Sequence, residues 1–350
     1  MCQGSDLNKM KIAFRLDADN RTGMGHAYRC YALTDALVAF GCECVYFSRD
    51  NEELRAFVKA RGIGFEAVPI SELSKELDWM KNFLIEYDIL IIDSYSISDW
   101  YIDALNRPGF VVACLDDNAL YRYSCDVVIN GNLHAKELKY RVGGKNPLML
   151  LGGKYTLLRD EFRIAKPIEI RKKANRVFVC FGGSDPHNST MLAIKTLQAI
   201  PGIEITAVLG AMAICADEIC ANAENINVNV IKDPPVISEI MCSCDIAVTA
   251  CGSMIYELAA LGIPSVVMVQ ADNQKLTAEY LNKNSLMKVI YGSSKAHIKS
   301  LRNETEDLLN DFNRRKRENL ALKNTVTRQG AENVTRELLN IMDGKKNVNV

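Results

Sequence analysis

Short apolar runs bounded by turn residues alternate along the chain with longer amphipathic stretches, the pattern of βα units around a parallel sheet. In the first half, strands are expected at 11–16, 43–48, 88–92, 110–114, 126–130 and 148–151. Helices are expected between them at about 26–40, 51–61, 75–86 and 98–106. A polar segment, 159–175, then breaks the apolar rhythm and reads as a linker. The alternation resumes with strands at 176–180, 204–209, 226–231, 244–249 and 265–269. Helices are expected there at about 189–199, 212–223, 236–242, 253–261 and 273–283, and 301–342 is charged and helical, expected to close the second domain and lean back on the first. The pattern predicts a two-domain α/β chain, 1–158 and 176–350, with one architecture used twice and no internal repeat in sequence.

Composition narrows this picture. A chain of 350 residues can bury a core in each half, and 48% hydrophobic with 24% charged residues is ordinary globular composition. The net charge of -1 offers no basic field to nucleic acid, and the basic runs at 171–173 and 314–317 suit a solvated linker and helix face. No stretch reaches the ~18 apolar residues of a membrane helix. Residues 1–10 are polar and lack the apolar run of a signal peptide, so a cytoplasmic protein without membrane insertion is expected. The twelve cysteines are scattered, and several, such as Cys114 and Cys180, end apolar strands as small hydrophobes do. Cys42 with Cys44 and Cys242 with Cys244 form Cys-x-Cys pairs without zinc-site spacing, so free thiols, no metal and no cofactor are expected. Nothing in the sequence fixes an oligomeric state.

In open parallel sheets, ligands bind beyond the carboxyl ends of the strands. The first half places Arg15, Asp17, Asp93, Tyr95, Asp116, Asp117, Asn130 and Asn132 there. Of these, Tyr95, Asp117 and Asn130 are candidates for substrate contact. The sharpest signal is Arg21-Thr-Gly-Met-Gly-His26, where the first strand gives way to the first helix. Gly23 and Gly25 let a ligand approach the backbone closely. His26 at the helix start could take a proton from water or a hydroxyl, and Arg29 shares its helix face. The same position also suits a histidine that merely caps a turn. Tyr28 stands where a full Gly-x-Gly-x-x-Gly would need glycine, so dinucleotide binding is not indicated.

The second half ends its strands in Phe181-Gly-Gly-Ser-Asp-Pro-His-Asn188, Thr249 to Ser253, and Gln270 to Asn273. The first run suits phosphate held on backbone N–H groups at a helix start. Gly252 and Ser253 open another helix, with Glu257 one turn in, placed to accept from a ribose. Each could equally be an ordinary βα turn. His134, Asp99 and His297 read as surface or loop residues.

Taken in order, several motifs resemble the UDP-sugar hydrolases of the pseudaminic-acid pathway. They are Phe14-Arg-Leu-Asp through Gly-Met-Gly-His26, Ile91-Ile-Asp-Ser-Tyr-Ser-Ile-Ser98, Leu115-Asp-Asp117, Asn130-Gly-Asn132, Leu158-Arg-Asp-Glu-Phe162 and Phe181-Gly-Gly-Ser-Asp185. The likeness spans about 11–339; a polar extension precedes it, and Ser94 stands where some relatives carry histidine. It implies a GT-B-like fold, two Rossmann-like domains facing across a cleft. It further implies metal-independent removal of UDP from UDP-2,4-diacetamido-2,4,6-trideoxy-β-L-altropyranose, with inversion. His26 would then activate water, and Asp17 and Asp93 would orient sugar or water. Gly183, Ser184, Ser253, Glu257, Asn273 and Gln274 would hold UDP. A glycosyltransferase of the same fold, or a silent sugar-nucleotide-binding subunit, remains open on the sequence.

Overall fold

The computed structural model describes residues 9–18, 24–210, 213, 219–221, 228–292 and 294–348. Gly23, the preceding Arg21 and Thr22, most of the helix expected at 212–223 and the start of the strand expected at 226 lie outside the described residues. The chain divides into two compact units, 1–160 with 329–350, and 161–328.

The first unit is built on β1 (Lys11–Leu16), β2 (Glu43–Ser48), β3 (Gly64–Ala67), β4 (Ile89–Asp93), β5 (Val111–Leu115), β7 (Val127–Asn130) and β9 (Leu148–Leu151). They form one sheet in the order β3-β2-β1-β4-β5-β7-β9, while β6 (Arg122–Tyr123) and β8 (Arg141–Val142) pair apart. All seven pair in parallel. Parallel strands are covered on both faces, which explains why β4 and β5 are apolar almost throughout and wholly buried. The covering helices are α1 (Gly25–Ala39), α2 (Glu52–Ala60), α3 (Leu73–Phe83) and α4 (Asp99–Leu105). On α1, Cys30, Leu33 and Leu37 recur at helical spacing and enter the core beneath β1. The short strand β3 was not expected. It has no fully buried residue, so it lacks the apolar run that announces its neighbours.

The second unit has the sheet order β12-β11-β10-β13-β14-β15, again parallel throughout. Its strands are β10 (Arg176–Cys180), β11 (Glu204–Leu209), β12 (Asn229–Lys232), β13 (Ile246–Ala250), β14 (Ser265–Met268) and β15 (Lys288–Ile290). Its helices are α5 (Asp160–Ile164), α6 (Ser189–Leu197), α7 (Ser238–Ser243), α8 (Met254–Leu261), α9 (Lys275–Lys283), α10 (Lys295–Asn310) and α11 (Phe312–Thr325). Within 159–175, expected as a linker, α5 buries Phe162.

The last helix, α12 (Gly330–Val348), belongs to the stretch expected to close the carboxy-terminal domain and lean back on the first, and it packs with the first unit. Its Val334, Leu338 and Met342 join the core beneath α1. Gly330 makes this docking possible: a β-carbon there would lie 2.0 Å from the Thr156 carbonyl oxygen. Among the described residues, no helix is long and apolar enough to cross a membrane.

Candidate active site

In the first sheet the chain runs outward from β1 through β2 and β3, then returns to β4 and moves the other way. Such a reversal opens a crevice at the carboxyl ends of β1 and β4, the usual ligand position in open α/β sheets. The backbone N–H of Asp17 donates to the Asp93 carbonyl at 3.1 Å, holding the two strand ends together. Five of the residues singled out in the first half meet there: Asp17, His26, Arg29, Asp93 and Asp117.

Arg29, one turn into α1, organises the group. Its Nε donates to Asp93 Oδ2 at 2.6 Å and a second nitrogen donates to Asp93 Oδ1. Its third nitrogen donates to both oxygens of Asp117, at 2.8 and 2.7 Å. Tyr95 donates to Asp117 at 2.6 Å and Asn132 at 2.9 Å. Burial alone would raise the Asp117 pKa, but the Arg29 charge and these donors outweigh it and bring it down to about 2. One guanidinium therefore serves two carboxylates, leaving that cluster with an excess of one negative charge.

His26 occupies the second position of α1 and is 5% exposed. Its Nδ1 lies 3.4 Å from Asp93 Oδ1, yet that buried nitrogen has no hydrogen-bond partner. The imidazole stands edge-on to the Tyr95 ring, with centroids 4.7 Å apart. A buried nitrogen without a partner costs free energy unless something occupies it during function.

Asp17 is held from below. Arg15 is wholly buried, paired through 2.6 and 3.2 Å hydrogen bonds with the equally buried Glu76 of α3, and it also donates to Asp17 at 2.9 Å. From above, Ser94 and Ser96 donate to the other Asp17 oxygen. Burial opposes ionisation, but Arg15 and the two hydroxyls outweigh it and hold the Asp17 carboxyl below its ordinary range. Ser94 thus supplies Asp17 with a polar partner.

Asn130 is wholly buried. Its amide donates to Asp116 at 3.2 Å and to Tyr140 at 2.9 Å, and its oxygen accepts the Asn132 N–H at 3.0 Å. It braces the Asp117 loop from beneath. His134, read from sequence as a surface or loop residue, is only 5% exposed, and burial lowers its pKa against the pull of Asp117, Glu137 and Asp116. The sequence reading assigned no role to Glu76, Ser96 or Asn132. A signal existed for Glu76, a lone carboxylate on the otherwise apolar face of α3 beside Leu77 and Met80.

In the second unit the equivalent reversal lies between β10 and β13. Gly183 and Ser184 are exposed in the loop after β10, and the backbone of Gly210 passes so close to Gly183 that a β-carbon would meet it at 2.3 Å. The expected phosphate seat on the next helix is partly filled from within: Asp185 accepts the Ser189 and Thr190 N–H groups at 2.8 and 2.9 Å. That carboxylate satisfies the first N–H groups of α6, so the glycine loop itself is what remains for a ligand. Gly252 and exposed Ser253 lead into α8, with Glu257 half-buried one turn on. Asn273 and Gln274 lie in the turn before α9; Gln274 approaches Gly252 and accepts the Gln270 N–H at 2.8 Å. Five candidates of the second half therefore lie on loops or turns at the carboxyl edge of its sheet, and Glu257 lies in the first turn of α8. Among the described residues, no group of three or more His, Cys, Asp or Glu side chains is arranged to hold a metal ion.

No protein-family model matches the chain. Over 290 residues it is 28% identical to an uncharacterized protein of Methanocaldococcus jannaschii, covering 79% of this chain and 59% of that one. It therefore spans little more than half the length of that relative. Over 284 residues it is 27% identical to the UDP-2,4-diacetamido-2,4,6-trideoxy-beta-L-altropyranose hydrolase of Campylobacter jejuni, covering 78% of this chain and 97% of the relative. In structure it matches MurG of Acinetobacter baumannii with a TM-score of 0.67 at 12% identity, covering 94% of this chain and 99% of the other, which is a likeness of fold. The chain thus resembles the pseudaminic-acid-pathway UDP-sugar hydrolases in sequence and carries a GT-B-like fold of two Rossmann-like domains.

Proposed function

We propose that the protein releases UDP from a UDP-linked 2,4-diacetamido-2,4,6-trideoxyhexose by attack of water at the anomeric carbon, in nonulosonic (pseudaminic) acid biosynthesis. The observation that carries this reading is the unpartnered, buried Nδ1 of His26, 3.4 Å from Asp93 at the β1–β4 reversal. In the proposed step the water oxygen bonds to the anomeric carbon as the bond to the diphosphate oxygen breaks, with inversion. His26 takes the water proton, and the Asp93 carboxylate stabilises the imidazolium that forms. UDP leaves as an anion, so no carboxylic acid is required to protonate it, unlike ordinary glycoside hydrolysis.

The carboxylates near His26 suit this division. Around His26 the carboxylates Asp17 and Asp117 accept hydrogen bonds from sugar hydroxyl and amide groups, Asp93 backs His26 and Arg29 from the interior, and the three repel phosphate. Gly25, Arg29 and Tyr95 shape that site, and Asn130 supports it. In the second unit, Gly183, Ser184, Ser253, Glu257, Asn273 and Gln274 hold UDP. The sequence likeness to a hydrolase of this substrate supports the assignment.

The test is incubation with a panel of UDP-, dTDP-, GDP- and CMP-linked sugars while free nucleotide is measured. UDP release from the diacetamido sugar in water alone is expected. Tight binding without release would overturn the hydrolase reading in favour of transfer to an acceptor or a non-catalytic role.

A further inference from the structure

The second unit contains a pocket of about 610 Å³ beside the amino-terminal turn of α6, reaching the carboxyl ends of β14 and β15. Met191, Leu192, Met268 and Val269 give it apolar walls. His187, Asn188, Ser189, Lys195 and Gln270 supply polar lining, and two of these side chains have a defect that the protein itself does not repair. Gln270 holds a buried Nε2, a donor, with no hydrogen-bond partner. Asn188 holds a buried Oδ1, an acceptor, likewise without one. Buried polar atoms are satisfied as a rule, and two exceptions in one pocket call for a common cause.

We propose that this pocket binds a secondary amide or imide edge, a C=O beside an N–H, flanked by apolar atoms. The carbonyl accepts from Gln270 Nε2, the N–H donates to Asn188 Oδ1, and an attached methyl or ring face lies against the methionines and Leu192. A hydroxyl-only sugar matches the polar pair less well, because it brings no apolar flank. A phosphate can pair with Lys195 of the lining but brings neither the apolar flank nor the amide N–H that suits Asn188. The pocket adjoins the loops assigned to UDP: Gly183 and Ser184 lead into it through Asn188, and the Gln274 side chain holds the backbone of Gln270. The UDP-sugar of the proposed reaction carries this edge twice, in the uracil ring and in the acetamido groups. Naming either as the source rests on that functional reading; the pocket's chemistry does not.

The test uses the full chain and free probes observed by ligand NMR. Uridine is compared with 3-methyluridine, whose N–H is blocked, and N-acetylglucosamine with glucose. Two variants remove one partner each. Gln270→Met keeps the side chain's length and its backbone bond to Gln274. Asn188→Gly keeps the left-handed backbone, φ 53°, and removes no helix cap, since the Asn188 side chain makes no capping bond. One amide probe is expected to bind, its control to be excluded, and each variant to weaken it about fivefold to tenfold. Uridine as the responder places the base in the pocket; N-acetylglucosamine places an acetamido group there. Binding of neither, equal binding of the controls, or unchanged affinity in both variants overturns the proposal. Hydrolysis of the UDP-sugar is measured separately, so amide binding without turnover would sink the functional reading and leave the pocket standing.

Discussion

Arg29 and Asp93, 64 positions apart in the chain, meet through two N–H···O bonds at the reversal of the first sheet, one of them 2.6 Å long. The same guanidinium also holds Asp117, so replacing it strands two carboxylates. Arg29→Met is expected to cost about 3 kcal/mol, the lower end for breaking a buried pair, since Arg29 keeps 22% side-chain exposure. Arg29→Lys restores the charge but not the fork, and should recover only part of the stability. Denaturant midpoints check both; equal stability of the methionine variant and the parent would show the clamp to be idle.

His26→Ala is expected to lower the rate of UDP release by about 10²–10⁴, the range for losing an acid–base group, while UDP affinity stays within twofold. Steady-state kinetics with parallel calorimetry separates the two. An unchanged rate removes the imidazole from the mechanism.

Glu257→Ala should act on the other half of the reaction. Loss of a carboxylate that accepts from ribose is expected to weaken UDP about tenfold, and to leave the rate at saturating substrate nearly unchanged. Unaltered UDP affinity would remove Glu257 from the nucleotide site.

The pH dependence of stability follows from Asp117. Its folded pKa of about 2 lies below the ordinary value of ~3.9, so its contribution is complete above about pH 4 and disappears as pH falls through about 2. The difference of about two units amounts to roughly 2–3 kcal/mol. Asp117→Asn should be less stable at neutral pH and should lose less between pH 4 and pH 2. Denaturation series at pH 7, 5, 4, 3 and 2 decide it, and parallel losses in parent and variant would refute the assignment.

Much of this architecture was legible in the residues. Parallel strands buried on both faces must be apolar almost throughout, so 11–16 and 176–180 stood out with the bounds that β1 and β10 have. Helix starts were legible for the same reason, as glycine and small polar residues ended each apolar run. The strand β3 escaped because none of its residues is fully buried, and β15 because three residues are too few to leave a pattern.

The site divides along the same line. His26, Asp17, Arg29, Asp93 and Asp117 were visible because residues that end parallel strands or begin the following helices can only lie at the sheet's carboxyl edge. Their partners were not visible. That Arg15 turns inward to Glu76, and that Asp185 rather than a ligand takes the first N–H groups of α6, both depend on which surfaces meet in space. A one-dimensional pattern records whether a position is buried or exposed. Only the folded chain decides which buried charge faces which, because contacts across 61 positions, as between Arg15 and Glu76, leave no local trace.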